Sequence, residues 1–166
     1  FVLSPAAFTR WLAWLQESGQ RFGVRTTPAR SEARQLFVTG ASAYYVATSV
    51  ELADLAARLG EEALAVALMP QGPAGPGRPL AQVDGLMASA ALTAEQAALA
   101  ARFLSYAASA PAQTLLLDRY QLLPANSAVQ LMSYPNVMRI AVQAQSSALL
   151  QDTPWLAAVV ELGQEL

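Results

Sequence analysis

The chain has 166 residues, a formal net charge of −2, 54% hydrophobic residues and 13% charged ones, a balance that belongs to a packed core and not to a disordered segment. All ten basic residues are arginines scattered without a cluster or stripe, so the footprint of a nucleic-acid binder is absent. Histidine, lysine and cysteine are missing altogether, which excludes disulfides, imidazole or thiolate metal sites, Schiff-base lysines and every triad built on His or Cys.

No apolar run reaches the roughly 18 residues that a membrane span needs. The uncharged stretch 140–151 is interrupted by Gln and Ser and reads as a core or interface helix. The chain opens at Phe1 with no methionine, basic leader or cleavage sequence, and on that ground it is read as a fragment or a processed product.

Ser4-Pro5 is a cap followed by proline at a first helical position. Phe8, Trp11, Leu12 and Leu15 then fall on one helical face, and Gly19 is the stop. Ser31 caps a second helix that Gly40 ends. Residues 42–47, with Tyr44, Tyr45 and Val46, read as a short strand. Thr48 or Ser49 then caps a third helix lined by Leu52, Leu55 and Leu59 and closed by Gly60.

Residues 64–69 are apolar without alternation, the pattern of a strand buried on both faces. Residues 70–79 hold four prolines and three glycines, so neither helix nor ladder continues through them. A further strand is expected near residues 86–89. Thr93-Ala-Glu-Gln96 is a capping-box sequence for a helix running to Ala107. Pro111 opens another to about Tyr120, which Leu122-Leu-Pro-Ala-Asn126 breaks. Helices over 137–150 and 154–166 finish the chain. There are no internal repeats, and the fold class is α/β and α-rich with about three short strands.

Leu36-Phe-Val-Thr-Gly-Ala-Ser42 resembles the strand-to-turn opening of short-chain dehydrogenases. The glycines that would let the backbone approach a pyrophosphate do not follow it, and a Tyr-x-x-x-Lys pair is impossible without lysine. Gly40 is better read as a helix terminator.

A second resemblance extends over nearly the whole chain. Trp11-Leu-Ala-Trp-Leu15, the passage from Ser31 to Ala43, Leu64-Ala-Val-Ala-Leu-Met-Pro70, Asp84-Gly-Leu-Met-Ala-Ser89, Ala100-Ala-Arg-Phe-Leu104 with Gln113, and Leu122-Leu-Pro-Ala-Asn126 follow one another in order. Together they resemble the C-terminal part of extracellular solute-binding proteins of ABC importers, of the maltose/oligosaccharide type. The resemblance implies the C-terminal portion of a two-lobed, periplasmic-binding-protein-like fold with a sugar in the cleft. On that map residues 1–66 and 123–166 form the second lobe, and 67–122 pack on the first. It implies as partners a sugar or oligosaccharide and ABC permease subunits, in an extracellular or periplasmic, membrane-anchored parent protein. It implies no cofactor and no metal.

The residues it nominates for ligand contact are Trp155, Asp84, Gly85, Thr48, Ser49 and Tyr45. Aromatic faces stack on pyranose rings and short polar groups meet hydroxyls. Trp155 is either the cleft tryptophan of the resemblance or a core residue beneath a helix start. Tyr45 either replaces the stacking aromatic or packs in the core; Val50 stands where the family often carries that aromatic. Asp84 is either a hydroxyl acceptor beside a permissive Gly85 or a solvated turn residue. The acids otherwise fall on helix surfaces and termini, without the facing pair a glycosidase needs, so the chain is read as no enzyme. Residues 70–121 would expose apolar faces unless covered, which makes self-association an expectation. The alternative reading is a non-catalytic interaction or assembly module derived from the same fold.

Overall fold

A computed structural model of the chain describes residues 5–71 and 75–149. It is helix-rich, with six α-helices among the described residues. The chain divides into two compact units, Phe1–Ala47 and Thr48–Leu166.

In the first unit α1 (Pro5–Gly19) and α2 (Arg30–Val38) follow the expected course. The Ser4 cap and the Phe8 side chain lie outside the described residues. Of the stripe expected to be buried on α1, Leu15 is half-buried, whereas Trp11 stays 51% exposed; Trp14, off that stripe, is 55% exposed. Ser31 is not the cap of α2. The helix begins at Arg30 behind an extended Ala29, and Glu32 in its first turn reaches back instead. The Glu32 carboxylate accepts from Thr27 Oγ1 at 2.5 Å and from Arg25 Nη2 at 3.1 Å, tying the preceding loop to the helix. Gly40 ends α2 as expected: its φ of +76° is the left-handed conformation that glycine takes most readily.

The second unit opens with a 3₁₀ turn, Ser49–Glu51, that runs into α3 (Leu52–Leu59). Next come α4 (Ala94–Ala107), α5 (Ala110–Tyr120) and α6 (Pro135–Ser146). Local chemistry sets these boundaries. Thr93 Oγ1 accepts from the Gln96 N–H at 3.3 Å while Gln96 Oε1 accepts from the Thr93 N–H at 3.0 Å, closing the expected box at the start of α4. Ser109 caps α5 ahead of Pro111. Proline at the head of α6 starts that helix two residues before the expected 137, and it stops four residues before 150. The expected helix over 154–166 lies outside the described residues.

The core forms where α3 packs on α5. It is made of Leu52, Leu55, Ala56, Leu64, Ala112, Leu117, Val129 and Val137, with Leu117 fully buried and Val137 nearly so.

The three expected strands are not present as strands. Residues 42–47, 64–69 and 86–89 have no regular secondary structure and join no ladder. In 42–47 the chain turns on itself, with Ser42 Oγ donating to Tyr44 O at 2.7 Å. Near 86–89 the Ser89 hydroxyl accepts from Ala91 N–H at 3.2 Å and begins the turn into α4. The ladder that does form is one the sequence did not announce: β1 (Leu80–Ala81) runs parallel to β2 (Ala148–Leu149), directly after the Gly/Pro stretch. Among the described residues the fold is therefore α-rich as expected, with one two-stranded parallel pair in place of the three short strands.

Leu117 is the fully buried side chain of α5. Leu117→Ala should lower the unfolding free energy by about 2–5 kcal/mol in urea titration, whereas Leu115→Ala, at an exposed position of the same helix, should stay within about 0.5 kcal/mol.

Candidate functional site

The residues nominated from sequence fall at separate places. Tyr45 is in the first unit, half-buried, its ring tilted by 31° against Phe37 with centroids 5.8 Å apart. Thr48 is the cap of the 3₁₀ turn, where it shares a reciprocal box with Glu51. The Thr48 N–H and Oγ1 both donate to Glu51 Oε1, at 3.5 and 3.4 Å. Ser49 is exposed beside it.

Asp84 and Gly85 lie in the run 82–89, which has no regular secondary structure and is exposed along its whole length. Asp84 has no hydrogen-bond or ion-pair partner among the described residues. A side chain at Gly85 would meet nothing within 4 Å, so packing imposes no demand for glycine there, and room for a close approach is open. Trp155 lies outside the described residues. No hydrogen bond joins the Thr48–Ser49 pair to the Asp84–Gly85 pair; each sits in its own local structure.

What sequence reasoning missed is a polar device on α6. The Asn136 carboxamide accepts from the Val66 N–H at 2.9 Å and donates to Leu64 O at 3.1 Å. Accepting from one residue and donating to the residue two before it is what a parallel strand does to its neighbour. Asn136 thus stands in for one peptide of a missing strand. Two turns later Gln143 Oε1 accepts from the Met69 N–H at 2.7 Å, and its Nε2 donates to Gly77 O at 3.1 Å and to Ser146 Oγ at 2.8 Å.

The spacing is a geometric match. Seven helical residues rise about 10.5 Å, and the three extended residues from Val66 to Met69 advance about 10 Å. Beyond it Arg78 Nε donates to Ser146 O at 3.3 Å and the Ala148 N–H to Pro79 O at 3.0 Å, leading into the β1–β2 pair. The Gly/Pro stretch is therefore a loop whose two ends meet on α6. Gly77 is required at the closure, since a Cβ there would stand 2.8 Å from Met69 Cβ and 2.9 Å from Pro70 O. The signal in the sequence is a pair of carboxamides seven residues apart on a helix of apolar neighbours.

The head of α6 is fastened separately. Tyr134, its N-cap residue, donates its phenol to the Asp118 carboxylate on α5. That hydrogen bond, then desolvation and the nearby negative charge, raise the tyrosine above its ordinary value of 10.0.

In the first unit Leu15, Gln16, Thr26, Thr27 and Pro28 line an open groove of about 380 Å³. It offers hydroxyl and carboxamide groups and no ionisable one, which suits binding of a neutral polar molecule and not acid–base chemistry. Among the described residues no cluster of carboxylates forms a metal site, and no helix is long and apolar enough to cross a membrane.

Two comparisons bear on this arrangement. The family model described as bacterial extracellular solute-binding protein matches residues 3–145. Among curated proteins nothing matches.

Hydrogen exchange should resolve the α6 device bond by bond. In Asn136→Ala the Val66 amide should exchange at least about tenfold faster while Met69 keeps its protection; Gln143→Ala should do the reverse, each lost bond being worth about 1–3 kcal/mol. Equal acceleration of both amides in either variant would mean that the extended segment opens as a unit.

The tyrosine bond predicts an alkaline signature. A raised value means the protonated phenol is favoured in the folded chain, so its stabilisation is complete below 10.0 and is lost as pH climbs through the raised value. Thermal melts of Tyr134→Phe should differ from those of the parent at neutral pH and converge with them above that range. In an ultraviolet titration the variant should lack the phenol whose ionisation is displaced above 10.0.

Proposed function

The chain belongs to the bacterial extracellular solute-binding proteins, and from that premise we propose that it is the ligand-binding component of an ABC importer taking a sugar or oligosaccharide. The family is one of binding proteins and not of catalysts. The match across residues 3–145 carries the reading. A groove whose polar lining is the Gln16 carboxamide and the Thr26 and Thr27 hydroxyls, in a chain free of lysine and histidine, supports a hydroxylated ligand over a charged one.

In this reading residues 1–66 and 123–166 belong to the second lobe and 67–122 pack on the first. The ligand is gripped by hinge closure between them. Asp84 accepts from paired hydroxyls beside Gly85, Thr48 and Ser49 meet others, and Trp155 and Tyr45 supply aromatic faces. Asp84 is the residue best prepared for this, being exposed and without a partner that a ligand would have to displace. The parent protein is membrane-anchored and hands its ligand to permease subunits.

A second reading, an interaction or assembly module, draws on Val50. It is 61% exposed where a stacking aromatic would be expected.

Nuclear magnetic resonance titration with maltotriose distinguishes them. The importer reading expects the backbone amides of Thr48, Ser49, Asp84 and Gly85 to shift with millimolar affinity, since one lobe offers half of a closing site. Asp84→Asn should weaken that response about tenfold, the loss of a charge-assisted bond. Silence at all four amides up to tens of millimolar, across maltose-, xylose- and galactose-based oligosaccharides, would overturn the sugar reading in favour of the module.

A further inference from the structure

An aspartate followed by glycine carries a reaction of its own. The Gly85 amide nitrogen can close a five-membered ring on the Asp84 carboxyl carbon. Such closure is ordinarily prevented by a side chain on the following residue, a hydrogen bond on its N–H, or a partner on the carboxylate.

At Asp84–Gly85 every one of these restraints is missing. Glycine brings no Cβ, and a Cβ built there would meet nothing within 4 Å. Among the described residues the Gly85 N–H has no hydrogen-bond partner, and the Asp84 carboxylate has neither hydrogen bond nor ion pair. Both residues sit in the exposed run 82–89 outside any helix or ladder. The peptide between them is therefore free to turn toward the carboxyl group. As a cleft residue in the proposed function, Asp84 meets solvent whenever no ligand is bound.

Every other described Asp or Asn is held. Asp54, in α3 ahead of Leu55, accepts from Arg58 Nε at 3.0 Å. Asp118, in α5 ahead of Arg119, accepts from the Tyr134 phenol. Asn126 donates to Ala108 O at 2.8 Å and accepts from the Ala128 N–H at 3.0 Å. Asn136, in α6 ahead of Val137, has its carboxamide committed to Leu64 and Val66. A helical N–H held in its ladder cannot swing toward the preceding side chain. Asp84 is singled out among them.

We propose that Asp84–Gly85 is a self-modification site, where Asp84 converts to isoaspartate through a succinimide. The Gly85 nitrogen bonds to Asp84 Cγ, and a carboxyl oxygen leaves as water with the amide proton and the carboxyl's own. Water then adds back. Opening at Cγ restores aspartate. Opening at the Asp84 main-chain carbonyl carbon breaks its bond to the nitrogen and leaves the chain running through Cβ and Cγ. No atom is gained or lost overall, and nothing is oxidised or reduced. The product keeps its negative charge, but the main chain is one methylene longer and the carboxylate is displaced. Loss of a ligand contact by that displacement rests on the sugar reading; the conversion itself does not.

Ageing the 166-residue chain without ligand, for several weeks at neutral pH and physiological temperature, tests the site. Digestion at arginine puts Asp54, Asp84 and Asp118 in separate peptides, 35–58, 59–102 and 103–119, because the Arg78–Pro79 bond resists cleavage. Peptide 59–102 should split with age into two species of equal mass. The new one should give the Cα–Cβ cleavage of isoaspartate under electron-transfer fragmentation, while the other two peptides stay single. Gly85→Val should slow the conversion at least about tenfold, since a branched side chain crowds the nitrogen. Asp84→Asn should lose ammonia, pass through the same ring faster and yield the same two products. Unfolding in urea should change the Asp84 rate by less than about threefold, as the folded run offers no restraint to remove.

A peptide 59–102 that stays single overturns the proposal. So does an equal rate in Gly85→Val, or equal conversion at Asp54 and Asp118. A rate that climbs further in urea overturns it as well, since the fold would then be holding the pair.

Discussion

The second unit depends on one interaction type: side-chain amides of α6 doing the work of a neighbouring strand. An extended segment must satisfy the polar groups along its backbone, and residues 64–69 have no sheet to do so. Asn136 answers at Leu64 and Val66, and Gln143 at Met69. A carboxamide has the donor and acceptor of a peptide group but stands alone, so it can hold a register without extending a ladder. The segment is therefore pinned at two points two helical turns apart. The same glutamine also holds Gly77, so one side chain ties the extended run to the far end of the Gly/Pro loop. Whatever this loop does is constrained by its closure on α6.

Which parts of this were legible in the sequence follows from how far each determinant reaches along the chain. The Thr93–Gln96 box, the proline heading α5, and the Gly40 and Gly60 terminators act within four residues, and the structure has them where the sequence put them. The strands were another matter. A run such as Leu64-Ala-Val-Ala-Leu-Met69 has the composition of a strand, but being one requires a partner elsewhere. Here the partner is a helix 70 and more residues away. Conversely, Leu80–Ala81, where no strand was expected, became one because the closure on Ser146 and Ala148 delivered it to Ala148–Leu149.

The nominated binding residues divide in the same manner. Thr48 is explained by a neighbour three positions on and Tyr45 by Phe37; both have local structural reasons to be what they are. Asp84, Gly85 and Ser49 have none: no partner, no tight packing and no strained backbone accounts for them. An unexplained polar residue on an open surface is a stronger pointer to ligand than one already engaged, so weight within the nominated set moves from the aromatic of the first unit toward the acidic turn.

The energetics then turn on where the apolar surface goes. Ion pairs contribute little, since Arg21–Glu17, Arg25–Glu32 and Arg58–Asp54 are all exposed, and such pairs yield at most about 1 kcal/mol. Stability rests on a small buried set around Leu117 and Val137. Large hydrophobic residues left in solvent outnumber that set among the described residues, and on α4 Leu99, Phe103 and Tyr106 form an ordered stripe. At roughly 25 cal/mol per Å², covering such a stripe is worth more than any surface ion pair in the molecule. The bulky residues of α4 are therefore better accounted for by contact outside the chain than by its own core, toward which only Ala100, Leu104 and Ala107 are half-buried.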